Sequence, residues 1–241
     1  MKLNEMIVKR KSFRKYTGKP VEETILQHIM AFVASARPLH PQIRTEAKIV
    51  TKDQVRFYFP WKTPQLLAIY SEKKEGCLEN VGFLFQQVDL YLQSIGLGSC
   101  WLGLGKLREQ VDVAGEGDME FVILLAFGYP AEDLRQNAGQ FHRKALSEIS
   151  DREDPLLEPA RLAPSSTNSQ PWFFTHEGDA IHAFCSRGGI LKHKMLGTMN
   201  RIDMGIALAH LYVANSERFR FFQTENVNAP EGYAYTGSFA L

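Results

Sequence analysis

Hydrophobic positions recur along this chain with two periods, one near 3.6 and one near 2. Leu3, Met6 and Ile7 share one side of a short helix over residues 3–10. Pro20 opens a second helix, with Glu22 and Glu23 in its first turn, where proline and acids are favoured. Ile25, Ile29, Phe32 and Val33 form its buried stripe, and it runs out near Ala36-Arg37-Pro38. Lys48-Ile49-Val50 and Val55-Arg56-Phe57-Tyr58-Phe59 read as a pair of strands, and Leu66 to Tyr70 as a buried one. From Glu79 to Ser94, Val81, Leu84, Val88 and Tyr91 recur at helical steps, continued by Ile95. Phe83, Phe85, Leu90 and Leu92 widen that face, so this helix is expected to be buried on several sides. Gly96, Gly98, Gly103 and Gly105 then allow the backbone to turn and approach something closely. Phe121 to Phe127 reads as a fully buried strand, ended by Gly128-Tyr129-Pro130, and residues 131–142 as an exposed linker.

After the linker the pattern restarts. Arg143-Lys144-Ala145-Leu146-Ser147 echoes Arg10-Lys11-Ser12, and Pro155 to Leu162 echoes the helix ending at Pro38, with Pro164 in the place of Pro38. Asn200 to Asn215 echoes Asn80 to Ile95, with Ile202, Ile206, Ala209 and Val213 as its stripe, and Tyr233 to Leu241 echoes the strand 121–127. The separations shrink from 133 to 126 to 120 residues, as they would if loops were trimmed while element order survived. Each echo is weak and their order is the signal, which reads as an internal duplication: a first half over residues 1–135 and a shortened second half over 136–241. Gly205, Ala207 and Ala209 make a close crossing of the two long helices plausible.

Composition narrows the classes. With 241 residues, 44% hydrophobic and 23% charged, the chain can bury a sizeable core and has the make-up of a soluble globular protein. A formal net charge of +1 gives no support for a nucleic-acid partner. No stretch approaches the roughly 20 apolar residues of a membrane span. The N-terminal segment lacks an apolar signal core, so the reducing cytoplasm is the expected location. Cys77, Cys100 and Cys185 are too few and too scattered for a disulfide framework or a zinc cluster. His176, His182 and His193 lack metal-ligand spacing, so no metal site is expected. Asp151-Arg152-Glu153-Asp154 reads as linker and helix cap rather than a catalytic acid pair. Lys192, His193 and Lys194 read as a charged loop that could also reach a ligand phosphate.

The densest polar chemistry lies between Ala163 and Phe174, APSSTNSQPWFF. Ser165, Ser166, Thr167, Asn168 and Gln170 crowd hydrogen-bonding groups onto a backbone held by Pro164 and Pro171. Composition alone is compatible with an ordinary surface turn before a strand, or with a loop that grips a flat, polar-edged ligand.

This stretch resembles the A-P-S-x-x-N-x-Q-P-W motif of the FMN-dependent nitroreductase family. Arg10-Lys11-Ser12-Phe13-Arg14 is similar to that family's basic phosphate-binding R-R-S-x-R, and GLGSCWLG, Gly96 to Gly103, to its flavin-edge loop. The resemblance covers most of the chain and is strongest to a pseudo-dimeric branch, in which one chain imitates the family's homodimer. It implies an α+β nitroreductase-like fold present twice. It also implies one composite FMN site: Arg10, Lys11, Ser12 and Arg14 with Trp101, Leu102 and Gly103 from the first half, and Arg143, Pro164, Ser165, Ser166 and Asn168 from the second. Arg10, Ser12 and Arg143 match positions at the phosphate and ribityl chain, Arg14 one near the pyrimidine edge, and the Leu102 peptide N–H one at flavin N5. Family members often carry an acidic residue where Leu102 stands. The symmetric second site is expected to be lost, because Arg37 to Gln42 lacks the hydroxyl residues and Ser216-Glu217-Arg218-Phe219 lacks the glycines.

The activity implied is hydride transfer from NADH or NADPH to FMN, then reduction of a small acceptor such as a nitroaromatic or quinone. The cofactor would carry the chemistry, so no catalytic side chain is named. Cys100 reads as a packing residue rather than a nucleophile. No second copy of the chain is required. Two rival readings stand beside this one: a flavin-binding protein without turnover, and a family member that has lost FMN and serves a structural or interaction role.

Overall fold

A computed structural model describes residues 2–56, 65–108, 118–187 and 190–241, with side chains not described at 190–196. The strands are β1 (Thr45–Thr51), β2 (Val55–Arg56), β3 (Gln65–Glu72), β4 (Gly98–Leu102), β5 (Lys106–Leu107), β6 (Met119–Gly128), β7 (Trp172–Glu177), β8 (Ala180–Ser186), β9 (Arg220–Phe222) and β10 (Tyr233–Ala240). The helices are α1 (Leu3–Met6), α2 (Glu23–Ser35), α3 (Cys77–Ser94), α4 (Leu146–Ile149), α5 (Glu158–Arg161) and α6 (Ile190–Ala214). Two four-stranded antiparallel sheets result, one ordered β1-β3-β6-β4 and the other β7-β8-β10-β9. In each, the first two strands are sequence neighbours, a long helix follows, and the last two strands enter in exchanged order. The fold is α+β, and one topology occurs twice.

The two long helices form the centre. α3 is buried around nearly its whole circumference, from Glu79 to Leu92, because it packs against sheet one on one side and α6 on the other. The crossing is close enough to need glycine on both helices. A Cβ on Gly82 would lie 2.0 Å from the Ile202 carbonyl oxygen, and one on Gly205 would lie 2.0 Å from that of Glu79. This reciprocity pairs Glu79 with Ile202 and Gly82 with Gly205, a separation of 123 residues. The echo of Asn80 in Asn200 is therefore displaced by about one turn, and the residue equivalent to Asn80 is Asp203.

Several local expectations change. α1 covers only Leu3–Met6. β1 pairs with β3, whereas Val55 and Arg56 pair with Leu107 and Lys106. Phe57 to Phe59 lie outside the described residues, as do the side chains of Lys192, His193 and Lys194. The glycine-rich stretch is largely a strand: β4 lies at the edge of sheet one against β6, which a reading of glycines as loop formers does not anticipate. Residues 131–142 are more than a linker, since Phe141 is buried with Met6, Leu90 and Leu162, and Arg135 donates to the Arg10 carbonyl.

Candidate functional site

The site is assembled where the N-terminal segment, β4, the loop after α5 and helix α6 meet. Residues 10–14 run beside edge strand β4: the Phe13 N–H donates to the Ser99 carbonyl at 2.9 Å, and Ser12 and Ser99 form a parallel bridge. Phe13 can seat there because Gly98 has no side chain; a Cβ would lie 2.7 Å from the Phe13 ring. With Phe13 buried, Ser12 and Arg14 on either side of it line the cavity walls.

The loop from Ala163 to Gln170 is strained. Thr167, Asn168 and Gln170 adopt φ of 53°, 58° and 48°, the left-handed region that non-glycine residues avoid, Thr167 most of all because it is β-branched. Hydrogen bonds hold it. The Gln170 N–H donates to Ser165 Oγ at 2.9 Å, Lys144 N–H donates to Gln170 Oε1 at 2.8 Å, and Asn168 Nδ2 donates to the His142 carbonyl at 3.0 Å. Arg143 clamps both ends, through Nε to the Ala163 carbonyl at 2.9 Å and Nη1 to Asn168 Oδ1 at 2.6 Å. From α6, Asp203 accepts the Ser166 N–H on both oxygens at 3.1 and 2.9 Å.

Two confluent cavities lie between these segments. The first, of 620 Å³, is strongly basic, with Arg10, Lys11, Arg14, Arg135 and Arg143 on its walls beside Ser165 and Asn168. Burial, and then the charges of Arg10, Arg135 and Arg161, hold Arg143 down to about 10. Burial followed by Arg10 lowers Arg135 as well. Some cations have carboxylate partners: Asp89 on Arg10 at 3.1 Å, Glu132 on Lys11 at 2.8 Å, Glu158 on Arg161 at 2.6 Å. Among the described residues no carboxylate pairs with Arg135 or Arg143. The second cavity, of 140 Å³, shares Ser12, Arg14, Pro164, Ser165 and Thr167 with the first. Trp101, Ile123, Met199, Ile202 and Ile206 make its remainder mostly apolar. Met199 covers Gly103, where a Cβ would lie 2.9 Å from its sulfur.

A buried polar network supports both cavities from beneath. Arg10, 1% exposed, gives Nε to Asp89 Oδ2. Asp89 also accepts from Ser99 Oγ at 2.7 Å, Gln93 Nε2 at 3.3 Å and Gln86 Nε2 at 2.9 Å. Gln86 Oε1 takes the Trp101 indole N–H at 3.0 Å, which fixes the amide's orientation and leaves Nε2 also facing His210 Nε2 at 3.1 Å. That ring nitrogen must accept, so Nδ1 carries the hydrogen and donates to the Pro159 carbonyl at 3.0 Å. Burial, reinforced by Arg10, keeps His210 neutral, its pKa down at about 3. The network links Arg10 in the basic cavity to Trp101 in the narrower one, and the first sheet's helix to the second's.

The predicted site residues thus converge on one trough, Leu102 excepted. Its side chain turns to the opposite face of sheet one with Val50, Leu66 and Leu124, so any ligand contact from Leu102 would be through its peptide. Lys11 is partly engaged by Glu132, and Asn168 braces Arg143. Sequence reasoning placed Thr167 in the polar loop but not in the composite site, and missed Arg135, Asp203 and the Asp89–Gln86–His210 network. A signal existed for two of them: Asp89 and Asp203 are single acids inside apolar helices, and a lone acid there needs a reason. Cys100 is a packing residue, its thiol pushed up to about 11 chiefly by burial. His176 is held between Asp151 and Asp154, and His182 between Ser238 and Glu177. Among the described residues no group of His, Cys, Asp and Glu could hold a metal ion, and no helix is long and apolar enough to cross a membrane.

On the opposite side of the α3–α6 crossing lies a larger cavity of 970 Å³, with His40 and Gln42 where the first site has its hydroxyl loop. Its described cations are Arg187 and Arg201, and Glu79 engages Arg201 at 2.7 and 2.9 Å. A cluster of mutually repelling arginines like that around Arg143 is not found among its described residues.

The donor set of the first trough fits a ligand with a dianionic group at one end and a flat ring at the other, which is the shape of FMN. A phosphate would compensate Arg135 and Arg143, and the ring would lie among Trp101, Ile123, Met199 and Ile206.

Comparisons with known proteins agree with the fold. A Thermotoga maritima protein described as a "putative nitroreductase" matches 99% of this chain and 92% of its own at 19% identity, with a TM-score of 0.65. A nitroreductase family protein of Clostridium difficile 630 covers 61% of this chain and 94% of its own at 16% identity and TM-score 0.48. A protein of C. difficile R20291 named as an FMN-dependent nitroreductase covers 59% and 98% at 16% identity and TM-score 0.43. No curated protein is similar enough in sequence to count as a match. The family described as "Putative TM nitroreductase" matches residues 2–215. That match spans nine-tenths of the sequence, so this protein belongs to the nitroreductase family.

Proposed function

We propose that this oxidoreductase of the nitroreductase family binds one FMN per chain in the trough between its two halves, residues 1–135 and 136–241, and uses NAD(P)H to reduce a small acceptor. The observation that carries this reading is the pair Arg135 and Arg143, without carboxylate partners among the described residues, in a basic cavity that shares Ser12, Arg14, Pro164, Ser165 and Thr167 with the slot of Trp101, Ile123, Met199 and Ile206. Arg10, Arg135 and Arg143 would hold the phosphate, Ser12 and Ser165 the polyol chain, and Trp101, Gly103 and Met199 the ring. When bound, FMN would supply the redox chemistry, taking hydride at N5 and passing electrons to an acceptor such as a nitroaromatic or a quinone. The protein's part is to orient the ring, to balance its phosphate charge and to exclude water beneath it through the Arg10–Asp89–Gln86–Trp101 network. One chain supplies both walls, so a second copy is not needed to complete the site.

The test is reduction of the FMN-loaded protein by NAD(P)H without oxygen. Bleaching of the visible flavin bands, followed by recovery on adding a quinone, is expected. Flavin that stays oxidised with either nucleotide would make the chain a flavin carrier. Arg143→Ala should weaken FMN retention at least about tenfold, the loss of one charge-assisted contact. Unchanged retention would remove Arg143 from the site.

A further inference from the structure

The two halves provide an internal control for Asp203. Asn80 on α3 and Asp203 on α6 are equivalent through the reciprocal glycine contacts, and both receive a backbone N–H from the loop beside their own helix. Asn80 Oδ1 accepts from His40 N–H at 2.8 Å, and its Nδ2 donates to the Ile43 carbonyl at 3.4 Å. Asp203 accepts from Ser166 N–H, and His40 and Ser166 are separated by the same 126 residues as Pro38 and Pro164. Holding the loop therefore requires only an acceptor, and a neutral amide suffices for that in the other half. Asp203, 4% exposed, is instead a carboxyl group in the wall of the slot that holds Trp101 and Gly103.

We propose that Asp203 carries a proton and presents it to the slot, donating a hydrogen bond to the acceptor edge of the ring bound there. The geometry directs that hydrogen. Both oxygens face the Ser166 N–H, so a hydrogen between them would meet that donor head-on; it must sit on the outer side of one oxygen, away from the loop. Among the described residues no ion pair is made to Asp203 itself, although one cation shares the slot. Arg14 and Cys100 line the same slot, and from β8 the neutral Cys185 thiol, pushed up to about 12 by burial first and then by Glu79 and Asp203, stands near. Glu79 is itself held by Arg201. Burial raises the Asp203 carboxyl to about 8 against the opposing pull of Ser166 N–H. At neutral pH the group is a donor; in alkaline solution it becomes an acceptor facing ring acceptors.

This inference rests on the flavin reading for the identity of the ring, and two measurements separate them. Infrared spectra of the protein without FMN should show a carboxylic-acid C=O band at pH 7 that fades by pH 9 and is missing in Asp203→Asn. FMN titrations from pH 7 to pH 9, where the phosphate is already dianionic, should show affinity falling at least threefold in the wild type and much less in Asp203→Asn. The variant is expected to fold, since Asn80 does the same loop-holding in the other half. FMN uptake with no acid band and a pH-independent affinity would overturn the assignment of Asp203 and leave the flavin reading standing. The acid band without FMN uptake at any pH would uphold the protonated carboxyl and overturn the flavin reading.

Discussion

Single side chains in this protein are tuned by what their neighbours fail to offer. Asp89 accepts from four donors, Arg10 among them, whereas Asp203 meets one backbone N–H and is pushed toward neutrality by burial. The consequence for stability has a definite sign. In the unfolded chain Asp203 ionises near pH 4, while in the folded chain it keeps its proton until about 8. Between those values the folded state binds the extra proton, so stability attributable to this group falls as pH rises from about 4 to 8, then levels off. Asp203→Asn should therefore stabilise the protein without FMN, with little gain near pH 4 and a gain on the order of several kcal/mol or less at pH 8. Denaturant melts across that range would show it, and a gain independent of pH would contradict the burial account. The sequence marks both acids as unusual in their helices but does not say which is paired. Both sit in helical stripes that read as apolar, and only the partner loops, brought in by tertiary structure, distinguish a paired acid from a neutral one.

At the scale of elements, the α3–α6 crossing sets the register of everything else. Gly82→Ala and Gly205→Ala each drive a methyl group into a backbone carbonyl that cannot rotate away, so each should cost about 3 kcal/mol or more. The double variant should cost clearly less than the sum, because one methyl separates the helices for both. Full additivity in denaturant melts would show that the contacts are independent. Most of both helices was legible from period alone, through Val81, Leu84 and Val88 or Ile202, Ile206 and Ala209, but α6 begins at Ile190, so Lys192 to Lys194, read as a charged loop, belong to its first turns. Their register was not. Asn80 and Asn200 match in residue type, but the contact glycines place Asp203 opposite Asn80. β4 was also missed: Gly96 does turn the backbone and Gly98 does allow the close approach of Phe13, but the residues between Gly98 and Leu102 form an edge strand. The strand pairing of Val50 with Leu66 rather than with Val55 follows from sheet order, which local pattern does not carry.

For the whole molecule, the repeated strand order and the two long helices put one topology twice in one chain, and the two sides of the helix crossing differ. One side has the hydroxyl loop, strained through Thr167 and Asn168, and a cluster of arginines. The other retains a larger cavity with His40, Gln42 and an Arg201–Glu79 pair. The polar loop and the basic N-terminal segment were readable as pieces of one composite site through their resemblance to family motifs, since composition alone fitted an ordinary surface turn as well; the trough that they share is built by the helix crossing. The most direct test is the number of FMN molecules each chain holds, from flavin absorbance against protein concentration after equilibrium dialysis. One FMN per chain is predicted, with Arg143→Ala reducing occupancy at limiting FMN. Two per chain, or none, would contradict the single composite site.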